Sequence, residues 1–469
     1  MEGDRNKMEK PNILYIFCDQ FRRQAIGYMK EDPVVTPNLD RFAGEAVVFK
    51  EAVSTYPVCS PYRGILFTGM YPHENHIFTN CTSQSAAEGC YLHDDQVCLS
   101  DLLAAGGYEM GYIGKWHLDA PKPEQNPYTE GFRGNGLIWD AYTPPGKGRH
   151  GFDFWYSYGC YDWHMKPHYW KNDAKIDERI DVREWSVAHE TKVAIDYIKN
   201  QDKPFALFMS FNPPHTDFDM FPQEYLNDYE GKEAGDLLVR PNVKMIPEAV
   251  RHVKNYFASI TGIDENFGKL MAALREKGIE DNTIVVFTSD HGEMMGSQGL
   301  MHKNIWYEEA VGVPFLVRWP ARFSHHDSDA QLSTIDILPT LLSMAGLKDR
   351  IPQGCSGYDF TRDMETEDYS NSPEYSLYVV SDPESNGFGR GLRGRRYTFM
   401  LSAAQNTTAY YLYDRLEDPY ELHNAAGENE EMVQYYLGLL KEKLEEIGDP
   451  FLEEIPLWGS RLHETAASQ

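Results

Sequence analysis

The chain has 469 residues, 42% of them hydrophobic and 25% charged, and its formal net charge is −28. This length predicts a large α/β unit with a smaller companion rather than one small core. The negative charge argues against a nucleic-acid partner, so an anionic substrate would need a local cluster of cations. Residues 1–10 are polar and no apolar run could span a membrane, which predicts a cytoplasmic protein without a membrane partner unless a leader was removed.

Four short apolar runs each lead into polar residues capable of chemistry. Continuous apolar runs of this length are typical of buried parallel strands, and helical stretches at 182–199 and 249–277 separate the later ones. We therefore expect one large, mixed but mostly parallel sheet flanked by helices, with its reactive residues at the carboxyl edge. The runs and the residues that follow them are 12–17 with Asp19 and Gln20, 108–113 with Lys115 and His117, 205–209 with His215, and 283–287 with Asp290 and His291.

Residues 119–172 are rich in Pro, Gly and aromatic residues, among them Trp139, Trp155, Trp163 and Trp170. This composition predicts a long loop over the active edge rather than core strands. Packing beneath the loop is the default role for these aromatic side chains, and stacking against sugar rings is the alternative.

The C-terminal part has the pattern of a small α+β domain. An acidic, Ser-rich stretch at 363–373 is typical of a linker, and the runs at 375–380, 396–401 and 409–413 favour antiparallel strands. A charged amphipathic helix is expected from about 430 to 447. We expect a catalytic domain over 1–365 and a smaller domain over 366–469.

The seven cysteines include no metal-binding C-x-x-C pair and are expected to be mostly unpaired thiols, with a disulfide among Cys81, Cys90 and Cys98 left open. The most informative of the seven is Cys59, in Cys59-Ser60-Pro61-Tyr62-Arg63 followed by Thr68-Gly69. Pro61 favours the first turn of a helix, so Cys59 would lie beside free N–H groups and Arg63 one turn later on the same face. This arrangement predicts an anion pocket with a reactive side chain at its edge.

Asp19, Gln20, Asp290 and His291 end two different strands and could share a metal ion. Carboxylate and amide oxygens suit calcium or magnesium, and the imidazole also tolerates manganese.

The pattern C-x-P-x-R with a trailing T-G resembles the signature of type I sulfatases, in the alkaline phosphatase superfamily. Four further strings are similar to family segments, and the resemblance covers roughly the first 345 residues. These strings are Gly114-Lys115-Trp116-His117, Asn212-Pro213-Pro214-His215, Ser289-Asp290-His291-Gly292 and the segment around Lys303.

The resemblance implies an alkaline phosphatase-like fold and a nucleophile made by oxidising Cys59 to formylglycine. A formylglycine-generating or anaerobic sulfatase-maturing enzyme would be the partner for that step. The resemblance also implies one divalent metal, with calcium as the first choice. Its ligands would be Asp19, Gln20, Asp290, His291 and residue 59.

The same resemblance implies roles for the remaining residues. Arg63, Lys115, His215 and Lys303 would bind the sulfate group and stabilise its charge, while the hydrated formylglycine attacks sulfur. His215 would protonate the leaving oxygen, and His117 would take a proton so that sulfate is eliminated and the aldehyde regenerates.

Three other functions compete with a sulfatase. Gln20, where many sulfatases carry Asp, together with His291 also fits a phosphonate monoester or phosphodiester hydrolase of the same superfamily. The second is an inactive anion- or glycan-binding protein, which is disfavoured because every expected catalytic position is filled. The third is a thiol-dependent hydrolase, which is disfavoured because the sequence lacks an oxyanion-hole motif. The aromatic-rich loop favours a sulfated carbohydrate as substrate, with the sugar, the sulfated position, endo or exo action and the oligomeric state left open.

Overall fold

The computed structural model describes residues 10–122, 136–382, 387–404 and 407–454. The strands are β1 (Asn12–Asp19), β2 (Val47–Phe49), β3 (Glu109–Lys115), β4 (Phe154–Tyr158), β5 (His168–Lys171), β6 (Ile180–Asp181), β7 (Phe205–Pro214), β8 (Thr283–Ser289), β9 (Phe315–Arg318), β10 (His326–Ser328), β11 (Tyr375–Asp382), β12 (Gly387–Gly394), β13 (Tyr397–Ala404) and β14 (Thr407–Asp414). The α-helices are α1 (Pro37–Ala43), α2 (Cys59–Thr68), α3 (Pro72–Asn75), α4 (Leu99–Ala105), α5 (Ser186–Lys199), α6 (Ala234–Leu237), α7 (Pro247–Lys277), α8 (Glu308–Val311), α9 (Ile337–Met344), α10 (Thr361–Thr366), α11 (Glu430–Ile447) and α12 (Phe451–Glu454).

The large sheet has ten described strands in the order β10-β2-β9-β8-β1-β7-β3-β4-β5-β6. Its centre, from β8 through β1, β7 and β3 to β4, is parallel throughout. Antiparallel pairs occur on both sides of this centre, at β8–β9 and at β4–β5. The expectation of a mixed, mostly parallel sheet is confirmed.

Helices cover both faces of this sheet, as the alternation of side chains along β1 shows. Leu14 and Ile16 are buried against the face packed by α1, α5 and α7. Ile13 and Tyr15 are buried against the opposite face, under α2, α4 and α9. A strand with apolar residues on both faces needs two covering layers. These layers leave the strand ends as the polar edge of the domain.

The second sheet is antiparallel, in the order β11-β12-β13-β14. Leu392 and Phe399 on one face pack with Val433 and Leu440 of α11. Tyr378 and Met400 belong to another cluster, which also contains Val53 and Val311 of the larger unit. The expected C-terminal antiparallel sheet with a helix is therefore confirmed, while the domain boundary at 365/366 stays a prediction.

Three sequence-based expectations differ from the structure. Residues 119–172 are not one loop, because β4 extends the parallel sheet beside β3 and β5 pairs with β4. The stretch predicted as a linker from 363 begins inside α10. The small sheet contains a strand, β12, that was not expected because four of its eight residues are glycine.

Within the described residues, no helix has both the length and the apolar character needed to cross a bilayer. The expectation of a cytoplasmic protein stays a prediction, and the polar segment 1–9 on which it rests lies outside the described residues. All seven cysteines are described, and none is joined in a disulfide in this structure.

Candidate active site

Neighbouring parallel strands bring the predicted site residues to one edge of the large sheet. Asp19 is the last residue of β1 and Lys115 is the last residue of β3. His215 and Asp290 directly follow β7 and β8. Cys59 begins α2, and its thiol contacts Asp19 at this edge. Residues that are far apart in the chain therefore share one site, as expected for ligands at the carboxyl ends of parallel strands.

The thiol of Cys59 lies inside a cluster of buried metal-ligating side chains. Its Sγ is 3.5 Å from Asp19 Oδ1 and 3.4 Å from His291 Nε2. His291 Nε2 is in turn 3.5 Å from Asp290 Oδ1. One donor atom from each of these four residues lies within 4.8 Å of all the others. The two strand ends and the helix start thus supply one compact donor set.

Two buried cations balance the carboxylates of this cluster. Lys115 Nζ donates to Asp19 Oδ2 at 2.6 Å, and Arg63 Nη2 lies 3.3 Å from the same oxygen and 3.5 Å from Asp290 Oδ2. Burial favours the neutral acid, but Lys115, together with His291, holds the pKa of Asp19 well below its usual range. Asp19 is therefore an anion in the folded protein.

Arg63 and Lys115 are both fully buried, and the terminal nitrogens of both side chains donate to protein groups, while Arg63 Nε has no hydrogen-bond partner among the described residues. Arg63 Nη1 donates to the Lys115 carbonyl at 2.6 Å and to Ser210 Oγ at 2.7 Å. Lys115 Nζ also donates to Asn212 Oδ1 at 3.1 Å. The two cations thus act first on the carboxylates, and a direct contact of either with substrate stays a prediction.

Gln20 connects the cluster to Lys303. Its backbone N–H donates to Asp290 Oδ1 at 3.1 Å, and its amide oxygen accepts from Lys303 Nζ at 2.6 Å. The amide nitrogen donates to Glu293 Oε2, which fixes which end of the amide is oxygen. Gln20 therefore presents an oxygen toward Lys303 at the edge of the cluster, and its role as a metal ligand stays a prediction.

The imidazole of His117 is buried and has no hydrogen-bond partner for either nitrogen among the described residues. Its backbone is held in place because Ser60, next to Cys59, donates from Oγ to the His117 carbonyl at 2.7 Å. Burial, together with the charges of Lys115 and Arg63, holds the pKa of His117 well below its usual value. The ring is therefore neutral and has an unused acceptor.

His215 follows β7, which lies between the strands of Asp19 and Lys115 in the sheet, and it stands next to an acidic side chain. Its Nδ1 is 3.5 Å from Asp162 Oδ1, and its Nε2 is 4.0 Å from Asp19 Oδ1. Burial and the charge of Lys303 hold the pKa of His215 well below its usual value, although both aspartates act in the opposite direction. Without bound substrate this imidazole is neutral.

Two residues that hold the site together were not predicted from the sequence. Asp162 accepts from Asn212 Nδ2 at 3.1 Å and faces His215, but it follows β4, a strand inside the segment predicted as a loop. Glu293 binds Gln20 and stands next to Gly292 in the segment already singled out for Asp290. An aromatic run ending at Tyr158 was the available signal for Asp162, and no sequence signal indicated the role of Glu293.

The donor set fits a divalent cation. Asp290 Oδ2 is buried and has no hydrogen-bond partner among the described residues, although Arg63 Nη2 lies 3.5 Å away, so this oxygen can still accept a ligand. Burial raises the pKa of Asp290, and Asp19 adds to this effect, as expected for two carboxylates that share a site. Burial lowers the pKa of His291, but the charge of Asp290 and the contacts with Asp19 and Cys59 raise it to about 10. A cation would satisfy both carboxylates and take the place of that proton.

Comparisons with known proteins agree with this geometry. Residues 11–347 match the sulfatase family, and residues 296–449 match the family described as N-sulphoglucosamine sulphohydrolase, C-terminal. An endo-4-O-sulfatase of Bacteroides thetaiotaomicron is 39% identical over 489 aligned positions, covering 95% of this chain and 94% of the relative.

Two solved structures are similar over nearly the whole chain. A sulfatase structure from Bacteroides fragilis, yidJ, is 38% identical with a TM-score of 0.90, covering 97% of this chain and all of the other. A structure from Bacteroides thetaiotaomicron, described with the metabolism of multiple glycosaminoglycans, is 37% identical with a TM-score of 0.88, covering 96% of this chain and all of the other. The family resemblance of the sequence motifs is thereby confirmed, and this chain belongs to the sulfatase family of sulfuric ester hydrolases.

Proposed function

We propose that this protein hydrolyses sulfate esters on a glycan, with formylglycine made from Cys59 and one divalent cation as its reactive groups. The observation that carries the proposal is the position of the Cys59 thiol, within 3.5 Å of both Asp19 and His291. A side chain converted at this position would share the donor set with the ion. The residues proposed to hold the ion are Asp19, Gln20, Asp290, His291 and residue 59.

Calcium is the first choice for the ion, since two carboxylates and an amide oxygen are hard donors, and magnesium or manganese are the alternatives. When bound, the ion would polarise the sulfate oxygens and lower the pKa of a coordinated hydroxyl. The formylglycine would supply a hydrated aldehyde as nucleophile. A formylglycine-generating or anaerobic sulfatase-maturing enzyme would have to produce it from the thiol.

Four cationic or ionisable side chains would bind the sulfate group. Lys303 is partly buried, and His215 lies at the end of β7, so both are suited to direct contact. Arg63 and Lys115 would keep Asp19 ionised and contribute positive charge from within the protein. Such fixed charges stabilise a transition state strongly because they do not reorganise.

His117 and His215 would move the protons. The unpartnered nitrogens and lowered pKa of His117 suit a base that accepts a proton beside residue 59. The pKa of His215 is also lowered, but a bound anionic ester beside it would raise that pKa. Asp162, 3.5 Å away, would stabilise the protonated ring. His215 would therefore gain its proton as substrate binds and donate it to the leaving oxygen.

A glycan is the proposed substrate class because of the two relatives' descriptions. One is named an endo-4-O-sulfatase, and a similar structure is described with glycosaminoglycan metabolism. Both align over at least 94% of either chain, so the similarity includes the C-terminal sheet as well as the site. We therefore propose a 4-O-sulfated glycosaminoglycan oligosaccharide as the first substrate to test.

The test is to co-express the protein with a maturing enzyme and to assay defined 2-O-, 4-O- and 6-O-sulfated oligosaccharides, an aryl sulfate and a phenylphosphonate ester. Mass spectrometry of the peptide containing position 59 should show formylglycine, and sulfate should be released from a sulfated sugar. Removal of metal by a chelator should abolish turnover, and calcium should restore it.

The matched control is Cys59→Ala, purified in the same way, which should release no sulfate because the nucleophile is absent. Turnover by this variant would contradict the role of residue 59. Cleavage of the phosphonate alone would replace the proposed function with that of a phosphonate hydrolase.

A further inference from the structure

Asn212 lies near the end of β7, shortly before His215, and is fully buried. Its amide oxygen accepts from Lys115 Nζ at 3.1 Å. Its amide nitrogen donates to the Tyr161 carbonyl at 3.0 Å and to Asp162 Oδ1 at 3.1 Å. Because an ammonium can only donate and a carbonyl can only accept, these partners fix which end of the amide is oxygen. The side chain of Asn212 therefore has one orientation that satisfies its neighbours.

The Asn212 amide stands between a buried cation and a buried anion. Opposite charges attract strongly in a protein interior, so Lys115 and Asp162 would be drawn together without a neutral group between them. Instead, Lys115 Nζ donates to Asp19 Oδ2 at 2.6 Å, and Asp162 Oδ1 lies 3.5 Å from His215 Nδ1. Asn212 thus leaves each of the two charges with a different partner in the site.

The contacts of His215 define which of its nitrogens can exchange a proton with a substrate. Nδ1 lies 2.9 Å from the Thr216 carbonyl oxygen, which can only accept, so Nδ1 carries a hydrogen. Nε2 lies 4.0 Å from Asp19 Oδ1 and therefore faces the proposed metal ligands. The His215 N–H donates to the Asn212 carbonyl at 3.1 Å. Asn212 thus contacts the backbone of His215 directly and its ring through Asp162.

We propose that Asn212 is a positioning residue for proton donation by His215, because it holds Asp162 beside the imidazole and keeps that carboxylate from pairing with Lys115. This inference rests on the proposed function, in which His215 protonates the leaving oxygen. As the S–O bond of the ester breaks, its electron pair stays on the leaving oxygen, which takes the proton from His215 Nε2. A carboxylate fixed beside Nδ1 orients the ring for this transfer.

The test measures kcat/KM for a series of aryl sulfates from 4-nitrophenyl sulfate to phenyl sulfate, whose leaving oxygens are increasingly basic. A basic leaving oxygen needs the proton, whereas 4-nitrophenolate leaves readily without it. Asn212→Leu is similar in size but cannot form the hydrogen bonds. For this variant we expect kcat/KM to fall about 100-fold for phenyl sulfate and less than about threefold for 4-nitrophenyl sulfate. A plot of log kcat/KM against the pKa of the leaving phenol should therefore become steeper.

Asp162→Asn keeps the size of the side chain and removes the charge beside His215, so it should steepen the plot in the same way. If Asn212 acts through Asp162, the double variant Asn212→Leu/Asp162→Asn should lose no more than the larger of the two single losses. Asn212→Ser, whose short side chain cannot reach both partners, replaces Asn212→Leu if the latter does not fold.

Asn266→Ala is the matched control, because Asn266 is a buried asparagine of α7 that donates to the Gly262 carbonyl at 2.8 Å. It also loses a buried hydrogen bond, but the slope of its plot should equal that of the wild-type protein.

Two results would overturn the role of Asn212. One is a slope equal to that of the wild type, whether or not activity falls, since a purely structural contribution would reduce the rate on every aryl sulfate alike. The other is additive losses in the double variant. If aryl sulfates are cleaved but sulfated sugars are not, the proposed glycan substrate fails, and the aryl series still decides the role of Asn212.

Discussion

Glu293 joins the two segments whose side chains meet at Gln20. One carboxylate oxygen accepts from the Gln20 amide, and the other accepts from the backbone N–H groups of Met295 and His302, both at 2.8 Å. His302 directly precedes Lys303. One buried carboxylate thus sets the orientation of the Gln20 amide and the position of the backbone that carries Lys303.

We expect Glu293→Gln to lower kcat and calcium affinity by about 10- to 100-fold, the usual effect of losing a group that orients ligands. The new amide cannot accept from Gln20 and both backbone donors as a carboxylate does, so Gln20 would turn and Lys303 would shift. The measurements are kcat and KM on an aryl sulfate, and calcium titration by calorimetry.

Glu248→Gln is the control, because Glu248 is an exposed carboxylate 3.6 Å from His302 and outside the cluster. It should behave like the wild-type protein. Unchanged calcium affinity and kcat in Glu293→Gln would show that the carboxylate does not position the site.

At the residue scale, the sequence predicted the side chains that end strands but not those that support them. Asp19, Lys115, His215 and Asp290 follow apolar runs, so their convergence could be inferred from the topology of parallel sheets. Glu293 is 273 positions from Gln20 in the chain, and no local pattern records that contact. Supporting contacts of this kind depend on the final packing of segments.

At the scale of elements, strands were predicted where apolar residues are continuous and missed where packing uses other residues. β12 has a glycine at position 391 because a Cβ there would lie 2.3 Å from the Tyr378 ring. β4 consists of four aromatic residues and one serine, and the surrounding Gly and Pro made the region resemble a loop. In β12, therefore, the close approach of the neighbouring strand requires glycine at a position where strands usually have a larger residue.

Gly114 in β3 offers a test of such a close approach. A Cβ at this position would lie 2.1 Å from the Ser210 carbonyl oxygen of β7, and its φ of 102° disfavours any side chain. We expect Gly114→Ala to lower the free energy of unfolding by about 3 kcal/mol or more, because backbone strain and overpacking add. Since Lys115 and Ser210 both contact Arg63, activity should fall as well.

The control is Gly146→Ala, where φ is 126° but no atom lies within 4 Å of the added Cβ. It carries the backbone strain without the clash and should cost only about 1–2 kcal/mol. Equal losses of unfolding free energy in the two variants, measured by chemical denaturation, would rule out the close approach as the cause.

At the scale of the whole molecule, buried ion pairs join the small sheet to the large one. Arg393 of β12 is fully buried and bonds both oxygens of Glu308 at 2.8 and 2.9 Å and Glu51 Oε2 at 2.6 Å. Arg415 bonds the same oxygen of Glu51 at 2.7 Å. Breaking a buried pair leaves an uncompensated charge, so these contacts fix how the two units pack. Composition predicted the two units, but their junction uses residues that are scattered along the chain.

One carboxyl at this junction, that of Glu421, is protonated rather than ionised. Glu421 is buried, accepts from the Glu308 N–H at 2.9 Å, and its Oε1 has no hydrogen-bond partner among the described residues. Burial and the charges of Glu308 and Glu309 raise its pKa to about 8, although Arg415 acts in the opposite direction. Glu421 is therefore neutral in the folded protein at neutral pH.

A raised pKa in the folded state means that the folded protein holds a proton that the unfolded chain loses at lower pH. The contribution of Glu421 to stability is therefore fully present below the unfolded pKa of about 4.3 and is lost as pH rises to about 8, by up to about 1.4 kcal/mol per pH unit. Glu421→Gln removes this titration, so the stability of the variant relative to wild type should increase between pH 5 and 8 and then level off. The measurement is chemical denaturation of both proteins at several pH values, with Glu417→Gln, an exposed carboxylate of the same loop, as control. A difference between Glu421→Gln and wild type that stays constant over this range would show that Glu421 is already ionised in the folded protein.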